Sequence, residues 1–378
     1  MSAVSDRNDE HDELRKVVRA FLEHASPSSE VRRLAETDEG YDPEVWRRLA
    51  DELGLVGLIV PERFGGAGAG AAELAVVMAE MGRTLLCAPY LSSAVLAPAA
   101  LLESGDETAC AEFLPDIADG SVIATLAVAE GNSDIRDLDA VWTTARADGD
   151  RHLLFGTKER VTDGYAAGLL LTVARTEKGL SLFAVDPEAV ERRPLPALDP
   201  TRKLARVHFD RTPARLIGAE GAAEGAVARV LDLGAVALAA EQAGGAERCL
   251  ELSVEYAKTR EQFGRPIGAF QAIKHKCAEL LYEVESAKAA AQDAARLWSA
   301  AAAASEQGLA ASVARAYCSE TYVHAAAETI QIHGGIGYTW EHDAHLYLRR
   351  AKSSALLLGS TSWHLERVAA DIGLVPTA

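Results

Sequence analysis

The sequence predicts an α+β fold in three consecutive regions. These are an N-terminal helical domain over residues 1–121, a middle antiparallel β-barrel or sandwich over 122–217, and a C-terminal four-helix bundle over 218–378. Three observations predict it. Apolar residues recur at helical spacing at both ends of the chain, and the period changes to two between them. Two long helical runs then follow, 222–259 and 270–304, parted by Gly264, Pro266 and Gly268. Strands grouped between helical blocks indicate a separate β layer rather than an alternating α/β sheet.

In the N-terminal region Leu14, Val17, Val18 and Phe21 share one helix face, as do Trp46, Leu49 and Leu53. Asp42-Pro43 reads as an N-cap followed by proline at the first helical position. The glycine run from Gly65 to Gly70 lacks the lysine and hydroxyl pair of a phosphate loop, and no clear βαβ unit surrounds it, so it reads as a helix-to-helix loop. In the middle region Ile123, Thr125 and Ala127 alternate with Ala124, Leu126 and Val128. Further apolar runs are 169–173, 180–185 and 205–209, with turns such as Asp148-Gly149-Asp150 between strands. The C-terminal region carries three apolar stripes. Val227, Val230, Leu231, Gly234 and Leu238 form the first, and Phe270, Ile273, Cys277, Leu281 and Val284 the second. The third contains Val313, Tyr317 and Ile330. The alanine-rich stretch 287–304 has high helix propensity. Gly334-Gly335 reads as a helix stop.

The net charge of −18 over 378 residues, with no basic stripe, excludes nucleic acid as an expected partner. No apolar run is long enough for a bilayer and no leader is visible, so a cytoplasmic protein is expected. The five cysteines are scattered without a CxxC pair, as in a reducing compartment. No Ser-His-Asp or Cys-His arrangement assembles from local signatures. His333, Glu341, His342 and His345 lie close in sequence, but zinc ligation needs a rigid face with more partners, so no metal is expected.

The run Arg260-Glu-Gln-Phe-Gly-Arg-Pro-Ile-Gly-Ala-Phe-Gln271 joins the two long helices. Arg260 carries a planar fork of donors suited to a phosphate, and Phe263 offers a flat face to a ring. The same residues also suit a polar helix connection with Phe263 packed inside. The longer run 256–271, with Gln331-Ile-His-Gly-Gly-Ile-Gly-Tyr338, resembles the two signature turns of the acyl-CoA dehydrogenase family. The resemblance extends over residues 10–370 and implies an FAD enzyme that removes two hydrogens from an acyl-CoA thioester. It implies that Arg260, Gln262, Phe263, Gln271, Gln331, Gly334 and Gly335 hold the nucleotide half of a neighbouring chain's FAD, and that Ser133, Thr162 and Ser360 also meet the cofactor. It further implies a tetramer and an electron-transfer flavoprotein as acceptor.

The sequence departs from the family pattern in three places. The usual base precedes a Gly-Thr pair, and here Leu358 stands there, before Gly359-Ser360. The other base position of the family, on the helix before the signature turn, is Gly234. Leu358 and Gly234 cannot take a proton, which leaves Glu241 and Asp232 as nearby carboxylates. The turn Ala129-Glu-Gly-Asn-Ser-Asp134 is shorter than the family's, and Arg160 replaces a tryptophan that flanks the flavin. The half of the site given to a neighbour survives, and the half kept for the chain itself is eroded. This implies a base-less subunit of a heteromeric dehydrogenase whose homologous partner brings the base. A self-sufficient homotetramer with an unusual base and a non-catalytic scaffold remain open, as does an acyl-carrier thioester in place of CoA.

Overall fold

A computed structural model describes residues 2–149 and 151–374, with side chains from Asp9 onward. Asp150, in one of the expected turns, lies outside the described residues. The chain divides into two compact units that are not consecutive in sequence. One comprises Met1–Val31, Ala71–Leu86 and Ala235–Ala378, and the other Arg32–Gly70 and Cys87–Gly234.

The second unit contains the later half of α2 (Ser28–Ala35), α3 (Pro43–Asp51), α5 (Ala97–Glu103) and α6 (Glu107–Ala118). A π-helical turn, Leu91–Leu96, is wholly buried and runs into α5. The expected cap of α3 is present: the Asp42 carboxylate accepts from the amides of Glu44 at 2.8 Å and Val45 at 3.4 Å, with Pro43 in the first turn. Replacing Asp42 by Ala orphans these donors and is expected to cost about 1 kcal/mol in a urea melt; an unchanged midpoint would exclude the cap as a stabilising contact. Leu53, placed on this face by its spacing, falls beyond the helix end.

The seven strands are β1 (Ala124–Ala127), β2 (Thr144–Asp148), β3 (Arg151–Thr162), β4 (Leu169–Thr176), β5 (Gly179–Val185), β6 (Glu191–Leu195) and β7 (Leu204–Ile217). Six of them run in the order β1-β4-β2-β3-β7-β5, β6 pairs with β7 off this path, and a further β4–β5 pairing closes five of them into a barrel. Closure removes exposed sheet edges. The expectation of an antiparallel sheet needs one correction: β1 and β2 pair with β4 in parallel. Their local period of two is the same in either direction, so only the long-range order distinguishes them. Inside lie Leu154, Val161, Leu170, Phe183, Val207 and Phe209.

The first unit is helical: α1 (Ser2–Ala25), α4 (Ala71–Arg83), the later part of α7 (Ala223–Thr259), α8 (Gln271–Ser299), α9 (Ala304–His333), α10 (Ala344–Ser354) and α11 (Thr361–Asp371). α4 and α7 cross with their backbones in contact: a Cβ on Gly82 would meet the Glu241 carbonyl oxygen at 2.0 Å, and one on Gly244 that of Ala79 at 1.9 Å. Two small residues therefore fix the crossing. The alanine-rich stretch does not continue one helix to 304: α8 stops at Ser299 and Ala301 is left-handed at φ +49°. Val17, Leu281 and Val313, assigned to inward stripes, are exposed. The buried face of α8 is Leu280, Val284, Ala287, Ala291, Ala294 and Ala295, so alanine supplies much of the contact. Among the described residues no helix is long and apolar enough to cross a membrane.

Candidate functional site

The first group of site residues lies in the helical unit. α7 ends at Thr259, and the chain makes a two-residue hairpin, with Glu261–Gln262 paired to Arg265–Pro266. Phe263 and Gly264 at its tip have φ +53° and +75°, the twist a tight hairpin requires. The Ile267 amide closes the turn on the Arg260 carbonyl at 2.7 Å. Ile267 packs with Ala257 and Ile332, against Tyr256, Phe270, Ile273 and Cys277. Ile332 follows Gln331 on the last turn of α9, so this small core brings the two signature segments together.

Phe263 is 92% exposed, which corrects the alternative that packs it inside. Leaving a phenyl group in water forgoes about 2 kcal/mol of burial, so its presence on a rigid tip calls for a ligand or another chain. Its ring stands edge-on to Phe270 at 6.1 Å, and the Arg265 guanidinium covers Phe270 at 4.3 Å. Arg260, Gln262, Gln271, Gln331, Gly334 and Gly335 are all exposed around it. A Cβ on Gly334 or Gly335 would meet nothing within 4 Å, so the space over this backbone is open to a close ligand. Donor-rich side chains, an aromatic face and bare backbone fit the adenosine diphosphate part of FAD. Beneath them His333 donates from Nδ1 to the Thr329 carbonyl at 2.7 Å and stacks on Tyr256 at 4.3 Å. Burial lowers its pKa and keeps the ring neutral near pH 7. His342 accepts the Ala344 amide, and His345 lies edge-on to Trp340.

The base loop belongs to the same unit. Arg315, fully buried, donates to the carbonyls of Ser354 at 2.5 Å and Leu357 at 2.6 Å, and to Gln242 Oε1 at 2.6 Å. His364 Nε2 donates to the Leu358 carbonyl at 3.2 Å, which leaves Nδ1 to accept from Ser312. Leu358 is buried and left-handed at φ +59°. The loop is thus held in a costly conformation around a side chain that cannot ionise. Ser360 accepts the Trp363 amide at 3.2 Å as the N-cap of α11. Glu241 is buried against Arg350, Oε1 to guanidinium 2.8 Å.

The second unit holds the other residues. Asp232 pairs with Arg136 at 2.6 Å, and Arg136 also donates to the Leu231 carbonyl. Gly234, buried in α7, brings no side chain. Ser133 donates its hydroxyl to the Glu130 carbonyl at 2.7 Å and can only accept from a ligand without breaking that bond. Thr162 is buried; its carbonyl accepts from Thr125 at 2.6 Å, and its hydroxyl has no partner among the described residues. A hydroxyl without a protein partner fits a polar ring edge. The next residue, Asp163, is left-handed and accepts from Ser92 on the π-helical turn at 2.6 Å. Glu130 and the fully buried Lys158 form an ion pair at 2.6 Å, and the carboxylate also accepts the amides of Trp142 and Thr143.

Arg315, His364 and the Glu130–Lys158 pair were missed from the sequence. The only local signals are a charge in the small-residue face of α9 and a lysine at the inward register of β3, four residues after Leu154.

The sequence pattern described as the acyl-CoA dehydrogenase N-terminal domain matches residues 8–121, and that of the C-terminal domain matches 224–373. The acyl-CoA dehydrogenase IpdE2 of Mycobacterium tuberculosis is 37% identical over 96% of this chain and 98% of its own. Two solved structures are similar. The Tcur3481–Tcur3483 steroid ACAD is 31% identical, with TM-score 0.86 over 97% of this chain and 98% of that one. The ChsE4–ChsE5 complex from Mycobacterium tuberculosis is 26% identical, with TM-score 0.87 over the same shares.

Proposed function

The chain belongs to the acyl-CoA dehydrogenase family, and we propose that it is the base-less subunit of a heteromeric member. It is an FAD-dependent oxidoreductase acting on a CH–CH bond of an acyl-CoA thioester. FAD, when bound, would supply the acceptor for the hydride from the β-carbon. The residues of this chain do the rest of what it contributes. Arg260, Gln262, Phe263 and Gln271, with Gln331, Gly334 and Gly335, hold the nucleotide end. Thr162 and Ser133 meet the ring side, Ser360 adds a hydroxyl, and Leu358 excludes water without accepting the α-proton.

One observation supports this reading: the loop held by Arg315 and His364 carries a buried leucine, Leu358, at the position where the family pattern has its carboxylate. Glu241 and Asp232 each face a guanidinium, which occupies the lone pairs a base would use. The α-proton therefore goes to a carboxylate of a homologous partner chain. Relatives whose names pair two chains support that assembly, a tetramer of two unlike pairs, and the word steroid in one of them supports a bulky acyl group. The absence of a disulfide among Cys87, Cys110, Cys249, Cys277 and Cys318 supports a cytoplasmic setting. An electron-transfer flavoprotein then reoxidises the flavin.

The test is the visible spectrum of the chain purified alone and with a homologous partner. A flavin band that appears only with the partner, at about one flavin per two chains, is expected. A full complement of flavin and acyl-CoA oxidation by the chain alone would overturn the reading, and would direct substitutions to Glu241 and Asp232. No flavin in either preparation would favour a scaffold.

A further inference from the structure

The turn 128–134 is held almost entirely by three consecutive residues of one strand. Lys158 Nζ donates to the Val128 carbonyl at 2.9 Å, and the Glu159 amide donates to the Ala129 carbonyl at 2.8 Å. The Arg160 guanidinium donates to the carbonyls of Gly131 and Ser133, the latter at 2.7 Å. Four carbonyls of one short turn are therefore drawn onto β3. This is possible because β3 slips out of register with β7 between Lys158 and Val161, and Arg160 takes φ +53°. A bulge re-aims a side chain, and a left-handed arginine persists only where its surroundings hold it. Here the two carbonyls do so.

Orienting the carbonyls also orients the amides. Among the described residues the N–H groups of Gly131 and Asn132 have no partner, and both residues are exposed. The turn therefore presents these two backbone donors outward while the carbonyls of Gly131 and Ser133 are turned onto Arg160. We propose that Arg160 is a positioning residue that fixes the Gly131–Ser133 turn in this donor-out state, suited to the electron-rich, carbonyl-bearing edge of a flavin. The proposal rests on the reading that this turn borders the ring. It goes beyond that reading by assigning the polarity of the turn to Arg160, which acts through the backbone carbonyls it holds.

The experiment compares wild type, Arg160→Ala, Arg160→Lys and, as a control, Arg206→Ala, an exposed arginine on β7 paired to Glu159. Amide hydrogen exchange at Ser133, whose N–H donates to the Glu130 carbonyl at 3.2 Å across the turn, is read in each, together with the FAD dissociation constant and the position of the flavin bands, using the partner-loaded protein if the partner is needed. Losing two charge-assisted bonds is expected to speed exchange in this turn and weaken FAD, each by about tenfold in Arg160→Ala. The bands should shift, Arg160→Lys should recover part of the loss, and the control should match wild type. Unchanged exchange would overturn the proposal, as would faster exchange with unaltered FAD affinity and spectrum. In those cases the flavin reading of the turn stands. Wild-type protein that takes up no FAD, alone or with a partner, overturns that reading and the proposal with it.

Discussion

Leu358→Glu is expected to raise the rate of acyl-CoA oxidation in the flavin-loaded protein by about a hundredfold or more, the range a positioned general base supplies. The substitution asks little of the backbone. Arg315 and His364 already hold the carbonyls of Ser354, Leu357 and Leu358, and Leu358 already has its left-handed conformation. A glutamate there is close to leucine in bulk and inherits the same aim. Burial disfavours its charge and moves its pKa upward, toward neutrality, where a base both ionises and binds a proton well. The rate should therefore rise with pH and reach a plateau above that pKa. Stopped-flow bleaching of the flavin on mixing with acyl-CoA, without oxygen, measures the step directly. If Leu358→Glu keeps its flavin and its melting temperature but gains no rate, the base does not act from this loop. A gain from Gly234→Glu instead would place the acyl group against α7.

The elements of this site that were legible in the sequence are the contiguous ones. The hairpin Arg260–Gln271 and the run Gln331–Tyr338 each carry their residues in one stretch, so pattern alone finds them. Their meeting through Ala257, Ile267 and Ile332 is tertiary, yet it follows once both segments are placed at helix ends. The clamps were not legible. Arg315 reaches carbonyls 39 and 42 residues away, and Lys158 reaches a carboxylate 28 residues back. A backbone carbonyl has no sequence signal, and the arginine that will bond it looks like any other. The β block was recognised from one alternating segment and several short apolar runs parted by turns, but neither encodes which strands pair, and the parallel pairings of β4 were invisible. The helical stripes failed for a different reason. Large apolar residues marked Leu281 and Val313 as inward, whereas alanines that weigh little in a hydrophobic pattern form the close-packed face.

Glu130→Gln is expected to destabilise the chain by about 1–2 kcal/mol near pH 7, because it leaves Lys158 buried without a countercharge, and an ammonium whose pKa is about 8 is neutralised there at small cost. Replacing both residues, as Glu130→Gln with Lys158→Met, should recover much of that loss, since no lone charge remains. The pH dependence identifies the cause. Burial pulls the Lys158 pKa down to about 8, and Glu130 opposes that pull only in part. An unfolded lysine titrates near 10.4 (roughly). Between these values the folded chain binds fewer protons than the unfolded one, so this group makes stability rise with pH across the window from about 8 to about 10. Without Glu130 the folded pKa falls further, and the window opens at lower pH. The variant should therefore lose most at pH 6.5 and approach wild type by pH 9.5, where Lys158 is largely neutral in both (roughly). Urea melts at the two values decide it. Equal losses at both would mean that the damage comes from the amides of Trp142 and Thr143, which the same carboxylate accepts, and not from the stranded charge. Because Lys158 and Glu130 also anchor the turn that Arg160 completes, the flavin affinity of this variant should fall in parallel with its stability and return with pH.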